Sequence, residues 1–171
     1  MKNTKTTNIL LIVIIVILLA PILLLSLVFS SSNYQMAKNP IPSATPRTVT
    51  VKQIADMIDN SCSQIWGSSF ESELNEETEL YTVKTWMNYI DDEAIERTKA
   101  GENQDEWDSM ATNLKETANA MQKAFNDNDH SEVTVVLSLC DPEDHSEEYL
   151  TIANGIIGID VVNEIDLRKS P

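Results

Sequence analysis

The sequence predicts an α+β protein in which an N-terminal transmembrane helix precedes three amphipathic helices packed on a three-stranded antiparallel β-meander. Three observations predict this fold class. Residues 9–29 form an uncharged apolar run, and several stretches after residue 49 repeat apolar side chains at three- and four-residue steps. From Val133 onward the apolar residues alternate with a period of two. A sheet with one apolar face must be covered, and the helix stripes supply the cover.

The apolar run at residues 9–29 predicts a membrane anchor. A helix of that length rises about 31 Å, which matches the roughly 30 Å hydrocarbon core of a bilayer. Lys2 and Lys5 predict that residues 1–8 stay in the cytoplasm and that the rest of the chain is extracytoplasmic. The alternative is a secretory signal that is cleaved near Ser30 and releases the protein. Both interpretations place the C-terminal domain outside the cytoplasmic membrane.

The rest of the chain divides by composition and charge. Residues 30–48 are rich in Ser and Pro and predict a semi-stiff spacer, residues 49–167 an acidic extracytoplasmic domain, and residues 168–171 a tail. All 27 acidic residues lie at or after Asp56, and the formal net charge is −15. Such a surface repels phosphate backbones and disfavours nucleic-acid binding. It suits a basic protein partner, divalent ions, or solubility alone.

The first helix of the domain is predicted to begin near Val51. Thr50 and Gln53 fit a capping box, in which the hydroxyl and the carboxamide satisfy otherwise unpaired backbone donors. The apolar stripe of this helix consists of Val51, Ile54, Ile58, Cys62 and Ile65. The helix is predicted to end at Trp66, and the polar residues 68–77 predict a loop.

The second helix is predicted from about Thr78 to Ala100, with Gly101 as its stop. Its stripe consists of Leu80, Val83, Met87, Ile90 and Ala94. Residues 81–86, "YTVKTW", have strand-like propensity, which weighs against a helix at this point.

The third helix has the clearest periodicity. Asn103 and Glu106 predict its N-terminal cap. Its stripe follows at steps of three and four residues and consists of Trp107, Ala111, Leu114, Ala118, Met121 and Phe125. The polar residues 126–129 end it.

Three strands complete the predicted domain. They are residues 133–140, 149–153 and 156–162. Asn154 and Gly155 separate the second strand from the third, and both accept the positive φ of a type I′ hairpin turn. The polar residues 163–171 are predicted to fray.

Cys62 and Cys140 allow two interpretations. Outside the cytoplasm a disulfide can persist, and closing so long a loop would stabilise the fold by up to ~4.5 kcal/mol in the chain-entropy model. Alternatively, both residues are buried thiols that pack as small apolar groups. Cys62 lies on the stripe of the first helix, whereas Cys140 falls on the strand face opposite Val133 and Leu139. Both alternatives stay open at this stage.

The segment "LCDPEDHSEE" at residues 139–148 contains five acidic side chains, one cysteine and one histidine. Asp141-Pro142 predicts a turn, because Asp favours the corner and Pro the first central position. The segment is therefore interpreted first as a hairpin connection. Its carboxylates also form a candidate acidic interaction loop for a basic partner, which consists of Asp141, Glu143, Asp144, Glu147 and Glu148.

No metal ligand set and no cofactor are predicted. His130 and His145 flank a strand that spans nearly 30 Å, so the two histidines are expected at opposite ends of the sheet. Residues 127–132 begin like a calcium loop, but Glu132 stands where an EF-hand requires glycine.

No catalytic residue is predicted, because the sequence contains no G-x-S-x-G, no H-E-x-x-H and no phosphate-cradling glycine loop. The main hypothesis is a non-catalytic, membrane-anchored extracytoplasmic domain that binds a protein partner or supports an envelope complex. The alternative is a secreted or tethered module that binds a cation or a small ligand. An enzyme is the third and least favoured hypothesis.

Overall fold

The computed structural model describes residues 48–169, which form three α-helices and one six-stranded sheet. The elements in chain order are α1 (Val51–Trp66), β1 (Phe70–Asn75), β2 (Leu80–Trp86), α2 (Asp92–Lys99), α3 (Gln104–Asn126), β3 (Thr134–Cys140), β4 (Glu148–Ala153), β5 (Ile156–Asp160) and β6 (Ile165–Asp166), followed by a 3-10 turn (Leu167–Lys169). The strands are ordered in space as in sequence. All neighbours are antiparallel except β2 and β3, which are parallel and are therefore joined by a crossover through α2 and α3.

The predicted three-stranded meander is wrong as a description of the sheet. The three predicted strands exist as β3, β4 and β5, but β1 and β2 extend the sheet on one side and β6 extends it on the other. The predicted loop at residues 68–77 contains β1, and the predicted helix from Thr78 to Ala100 contains β2 and only a short α2. The result is a mixed sheet whose second and third strands form its parallel pair.

The second predicted helix failed because residues 80–86 satisfy two periodicities. Leu80 and Val83 fit a helical stripe, yet in β2 the burial alternates strictly, with Tyr81, Val83 and Thr85 buried. Five of these seven residues are either β-branched or aromatic, and both residue types favour an extended chain. Pairing with β3 on one side and β1 on the other then determines the outcome.

The first helix begins and ends as predicted. The Thr50 hydroxyl accepts a hydrogen bond from the Gln53 N–H at 3.2 Å, and the Gln53 carboxamide oxygen accepts one from the Thr50 N–H at 3.0 Å. Gly67 follows the last turn with φ 62°, a conformation that glycine adopts without strain. The predicted capping box is therefore confirmed.

The apolar stripe of α3 is confirmed, whereas its predicted cap is wrong. All six predicted stripe residues, from Trp107 to Phe125, are buried. Asn103 has a left-handed backbone with φ 56°, and its side chain makes no capping hydrogen bond. Gly101 and Asn103 instead turn the chain sharply between α2 and α3 with positive φ angles.

The helices pack against one side of the sheet. The Tyr81 ring of β2 lies 5.6 Å from the Phe125 ring of α3, and the Tyr81 hydroxyl donates to Asp59 of α1 at 2.6 Å. The largest sheet side chains buried on this side include Val83, Leu137, Leu139, Leu150 and Ile152. The core therefore lies between the helices and this side of the sheet.

The end of the described chain is ordered by specific contacts, so the predicted fraying is wrong for residues 163–169. Asp160 accepts hydrogen bonds from the N–H groups of Val162 and Asn163 and turns the chain toward β6. The Arg168 guanidinium then bonds to Asp166 at 3.0 Å. These contacts hold β6 and the 3-10 turn against the sheet.

Within residues 48–169, no helix is long and apolar enough to cross a membrane. The predicted cytoplasmic segment 1–8, the anchor 9–29 and nearly all of the spacer 30–48 lie outside the described residues. The same holds for the last two residues of the predicted tail.

Candidate functional site: the open face of the sheet

The side of the sheet opposite the helices carries a mixed polar surface, which we call the open face. Side chains alternate between the two sides of a strand, so each strand contributes every second residue to it. The open face includes Glu71, Glu73, Thr82, Lys84, Trp86, Val136, Ser138, Cys140, Glu148, Thr151, Ala153, Ile159 and Asp166. Hydroxyl and charged groups dominate it, in contrast to the apolar side that faces the helices.

A hydroxyl and carboxylate network organises the centre of the open face. Ser138 has no solvent-exposed surface, and its hydroxyl donates to Glu148 at 3.0 Å. The Ser138 and Thr151 hydroxyl oxygens lie 3.1 Å apart. The other Glu148 oxygen lies 3.8 Å from the guanidinium of Arg168. The 3-10 turn therefore reaches over the open face and helps to hold the Glu148 carboxylate.

Lys84 is the cation that the strands contribute to the open face. Its ammonium group donates to the His145 carbonyl oxygen at 3.1 Å and lies 3.9 Å from a Glu71 carboxylate oxygen. The side chain is 30% exposed. The hollow beside it, bordered by Glu73 and Thr82, has a volume of about 330 Å³ and is only partly enclosed. Such a surface matches a complementary surface better than it encloses a small molecule.

The segment between β3 and β4 forms the turn that the sequence predicts. One oxygen of the Asp141 carboxylate accepts from the N–H groups of Glu143 and Asp144, each at 2.7 Å. The other oxygen accepts from the Tyr149 hydroxyl, and this bond is the main cause that lowers the pKa of Asp141. Burial, followed by the neighbouring carboxylates of Asp141 and Asp92, raises the pKa of Tyr149.

The predicted acidic interaction loop is divided by the structure. Asp141 is buried and occupied within the turn, so it is not presented to a partner. Glu148 lies on the open face, bonded to Ser138. Three carboxylates are exposed at the tip: Glu143, Asp144 and Glu147. The five residues thus do not form one acidic surface. Asp141 stabilises the turn, Glu148 belongs to the open face, and the other three form an exposed acidic tip.

The two histidines lie at opposite ends of β3, as predicted. His145 stacks on Trp86 with ring centroids 3.6 Å apart and planes inclined by 21°, which folds the acidic turn back over the open face. His130 precedes β3, and its ring nitrogens lie 2.8 Å from the Val49 carbonyl oxygen and 3.1 Å from a Glu132 oxygen. These acceptors raise the pKa of His130, with the carbonyl as the largest cause. Within the described part of the chain, no His, Cys, Asp or Glu cluster has a metal-binding arrangement.

Both cysteines are free and buried in the structure, so the bridge between Cys62 and Cys140 is not formed and the second sequence alternative is observed. Cys62 lies on the helix side of the sheet, whereas Cys140 lies on the open face beneath the acidic turn. A disulfide requires Cα atoms within about 7 Å, and the sheet stands between these two positions. Burial raises the pKa of each thiol to about 12, which suppresses the reactive thiolate.

A second polar hollow lies between the C-terminal half of α3 and the start of β3. It has a volume of about 430 Å³, and Lys123 and Val133 form part of its lining. The rest of the lining consists of carboxamides and hydroxyls: Asn119, Gln122, Asn126, Ser131, Thr134 and Asn154. The Gln122 carboxamide bridges the backbone at the start of β3. It donates to the Val133 carbonyl at 2.7 Å and accepts from the Val135 N–H at 3.0 Å. We call this second hollow the carboxamide hollow. Its signal in the sequence is the spacing of Asn119, Gln122 and Asn126, which places three carboxamides on one face of α3. An interpretation based on titratable residues does not detect this signal.

Comparison with known proteins adds no relative to this description: no family model, no curated protein and no solved structure matches the chain.

Proposed function

We propose that this protein is a non-catalytic, membrane-tethered extracytoplasmic domain that binds a basic protein partner. The observation that carries the proposal is the one-sided cover of the sheet. Within residues 48–169 the helices cover one side, and the open face remains as a polar surface whose charged groups are held in place by Ser138, Arg168 and His145. Polar and charged groups are typical of the rim of a protein–protein contact, and side chains that are already held in place lower the entropic cost of binding.

The charge of the domain supports a basic partner. The 27 acidic residues all fall after the spacer, against 12 basic residues in the whole chain. Long-range attraction by such a field speeds the encounter with a cationic surface, and it repels nucleic acid and anionic lipid. Solubility alone would also favour an acidic surface, but it would not require the fixed side-chain positions of the open face.

The tether is proposed from the apolar run at residues 9–29, with Lys2 and Lys5 on the cytoplasmic side. The test is fractionation of cells that produce the full chain, followed by external protease. We expect the intact chain in the membrane fraction and digestion only from outside. Mature protein found solely in the medium, beginning near Ser31, would overturn the tether and favour the cleaved-signal alternative.

The partner surface is tested by crosslinking in living cells. A photo-reactive residue replaces Glu73 or Val136 on the open face, or the exposed Glu116 of α3 as a matched control. We expect a discrete adduct with one protein from the open-face positions and none from the control. Equal labelling from all three positions, or labelling from Glu116 alone, would contradict the proposal.

The alternative function, binding of a small ligand, is favoured by one observation, the carboxamide hollow. Carboxamides both donate and accept, so they match neutral ligands with many hydroxyl groups better than cations. Thermal unfolding with a neutral oligosaccharide, and separately with calcium or zinc at fixed ionic strength, separates the two ligand classes. A shift with the oligosaccharide that Asn126→Leu removes would support this function, and no shift with any of them would exclude it.

A further inference from the structure

We infer that β1 is the docking edge of this protein, to which the partner adds a basic extended segment as a seventh strand. The inference rests on the proposed function and specifies the surface and the chemistry of the partner. Four features of the described residues carry it: a regular edge, a short opposite edge, an alternating side-chain pattern, and a one-sided charge.

The backbone of β1 forms a regular edge. All six of its residues pair with β2, from Phe70 opposite Thr85 to Asn75 opposite Leu80, with no register shift. Within residues 48–169 no strand pairs with its other side. The strand contains no proline, which would have removed a donor. Every second residue therefore offers its N–H and C=O outward, which is the template that an added strand requires.

The opposite edge of the sheet is a poor template. The strand β6 has only two residues and leads directly into the 3-10 turn at Leu167–Lys169. Two residues offer too few backbone groups to hold an added strand in register. On the same side, β5 leaves only Ile156, Ile157 and Gly158 without a pairing strand, which is also a short stretch. Among the described strands, β1 is consequently the edge that suits augmentation.

The side chains of β1 alternate in chemistry as well as in burial. Phe70, Ser72 and Leu74 are half-buried on the helix side, whereas Glu71 and Glu73 are exposed on the open face. An added strand places its own side chains beside these in alternation. Apolar side chains of the partner would extend the cluster in which the rings of Trp66 and Phe70 lie 6.3 Å apart. Its other side chains would face the two glutamates.

The charge along this edge selects a basic occupant. Besides Glu71 and Glu73, the turn after β1 exposes three more glutamates: Glu76, Glu77 and Glu79. Lys84 approaches only Glu71, at 3.9 Å. A second copy paired antiparallel through β1 would set glutamates directly opposite each other, which is unfavourable. An alternating apolar and basic strand instead places an opposite charge beside each exposed glutamate.

The test uses the full chain in detergent micelles and a short capped peptide of alternating lysine and valine. We expect saturable binding at low ionic strength that weakens as salt is raised. Hydrogen exchange should slow at the outward-facing β1 amides and stay unchanged in α3. A peptide with the same sequence but methylated on alternate backbone nitrogens should not bind, because it cannot complete the ladder.

Charge is tested by paired neutral substitutions. Glu71→Gln with Glu73→Gln should weaken peptide binding about tenfold, as expected for two partly exposed ion pairs. The matched control is Glu102→Gln with Glu116→Gln, which removes the same charge from exposed positions outside the sheet. The control should bind almost as the unaltered protein does.

Several outcomes would overturn the inference. These are binding unaffected by backbone methylation, equal weakening in the control pair, a dimer of the free protein in light scattering, or outward-facing β1 amides that are already protected in the free chain. The last outcome would mean that a segment of the chain itself occupies the edge. Failure of the peptide test together with crosslinks from Glu73 in cells would leave the proposed function intact. If the peptide does not bind and no crosslink forms in cells, both the inference and the proposed function are contradicted.

Discussion

At the scale of single residues, the buried aspartate Asp160 links the sheet to α3. It is 1% exposed, and one of its oxygens accepts from the Trp107 indole N–H at 3.0 Å and from two backbone N–H groups. Asn163 donates its side-chain N–H to the other oxygen at 2.9 Å. The carboxylate thereby satisfies four donors from two elements. The structural role of Asp160 could not be predicted from the sequence, because nothing there distinguishes it from the many other aspartates.

Replacing Asp160 by alanine is expected to lower the free energy of unfolding by about 3 kcal/mol, because buried donors lose their acceptor. Urea denaturation followed by circular dichroism measures the change. Asp160→Asn is the matched control, since it retains one acceptor oxygen and should cost less. Alanine and asparagine variants of equal stability would contradict this account.

His130 is expected to make stability depend on pH near neutrality. Both ring nitrogens face acceptors, so only the protonated ring can donate to Val49 and to Glu132 together. Its pKa is raised in the folded state, and the facing carboxylates are Glu132 and Asp129. The stabilisation is therefore fully present below the unfolded pKa of about 6.5 and is lost as pH rises through the higher folded value.

The measurement is the free energy of unfolding of the unaltered protein minus that of His130→Gln, across pH 5 to 9. The difference should be largest at the acidic end and shrink toward the alkaline end. A proton NMR titration of the ring gives the folded pKa directly. A difference that stays constant with pH, or grows as pH rises, would show that the charge of His130 is not the stabilising feature.

At the scale of secondary structure, the strength of the periodic signal decided which elements could be predicted. The stripe of α3 extends over about five turns, so few alternative structures bury the same side chains. The seven residues of β2 fit two periods, and only the presence of β3 and β1 as neighbours selected the strand. β1 itself, with its polar sequence FESELN, has no apolar run and was predicted as a loop. Short strands with one polar face are therefore where sequence reasoning failed.

The hairpin between β4 and β5 contains the clearest local prediction at this scale. Asn154 and Gly155 have φ angles of 50° and 73°, as the Asn-Gly signal requires. A Cβ atom on Gly155 would lie 2.3 Å from the Asn119 carboxamide oxygen of α3. The turn thus needs glycine for its backbone angle and for the approach of the helix.

Gly155→Ala is expected to lower stability by about 1–2 kcal/mol, because alanine is strained at positive φ and Asn119 must move. Asn154→Gly serves as the control, since it should be close to neutral at a position that already has positive φ. Thermal unfolding compares the two variants. If Gly155→Ala combined with Asn119→Ala were no more stable than Gly155→Ala alone, the steric part of the explanation would be wrong.

At the scale of the whole domain, the sheet separates the two cysteines that the sequence allowed to pair. Cys62 is in the core with the helices, and Cys140 is on the open face beneath the acidic turn. Their separation follows from the alternation of side chains along β3, which the sequence already showed, together with the placement of every helix contact on one side. The second part required the tertiary structure.

Alkylation of the native protein is expected to modify neither thiol appreciably, because both are buried and their raised pKa values keep them protonated. Denaturation without reductant should then allow both to react, which mass spectrometry detects as two adducts. A protein that reacts only after reduction would contain the bridge and would contradict the separation by the sheet. Cys140→Ser and Cys62→Ala identify which thiol reacts in an intermediate case.

The sequence by itself determined the features that depend on local patterns: the capping box of α1, the stripe of α3, the alternation of β3, the Asn-Gly turn, and the Asp141 turn. Each is decided within a few residues or along one repeating face. The tertiary structure alone decided that β1 and β2 join the sheet, that the cysteines lie on opposite sides, and that Glu148 and Lys84 share the open face. These outcomes depend on pairing between distant segments, since a strand with no strong period of its own becomes a strand only where a neighbour completes its hydrogen bonds.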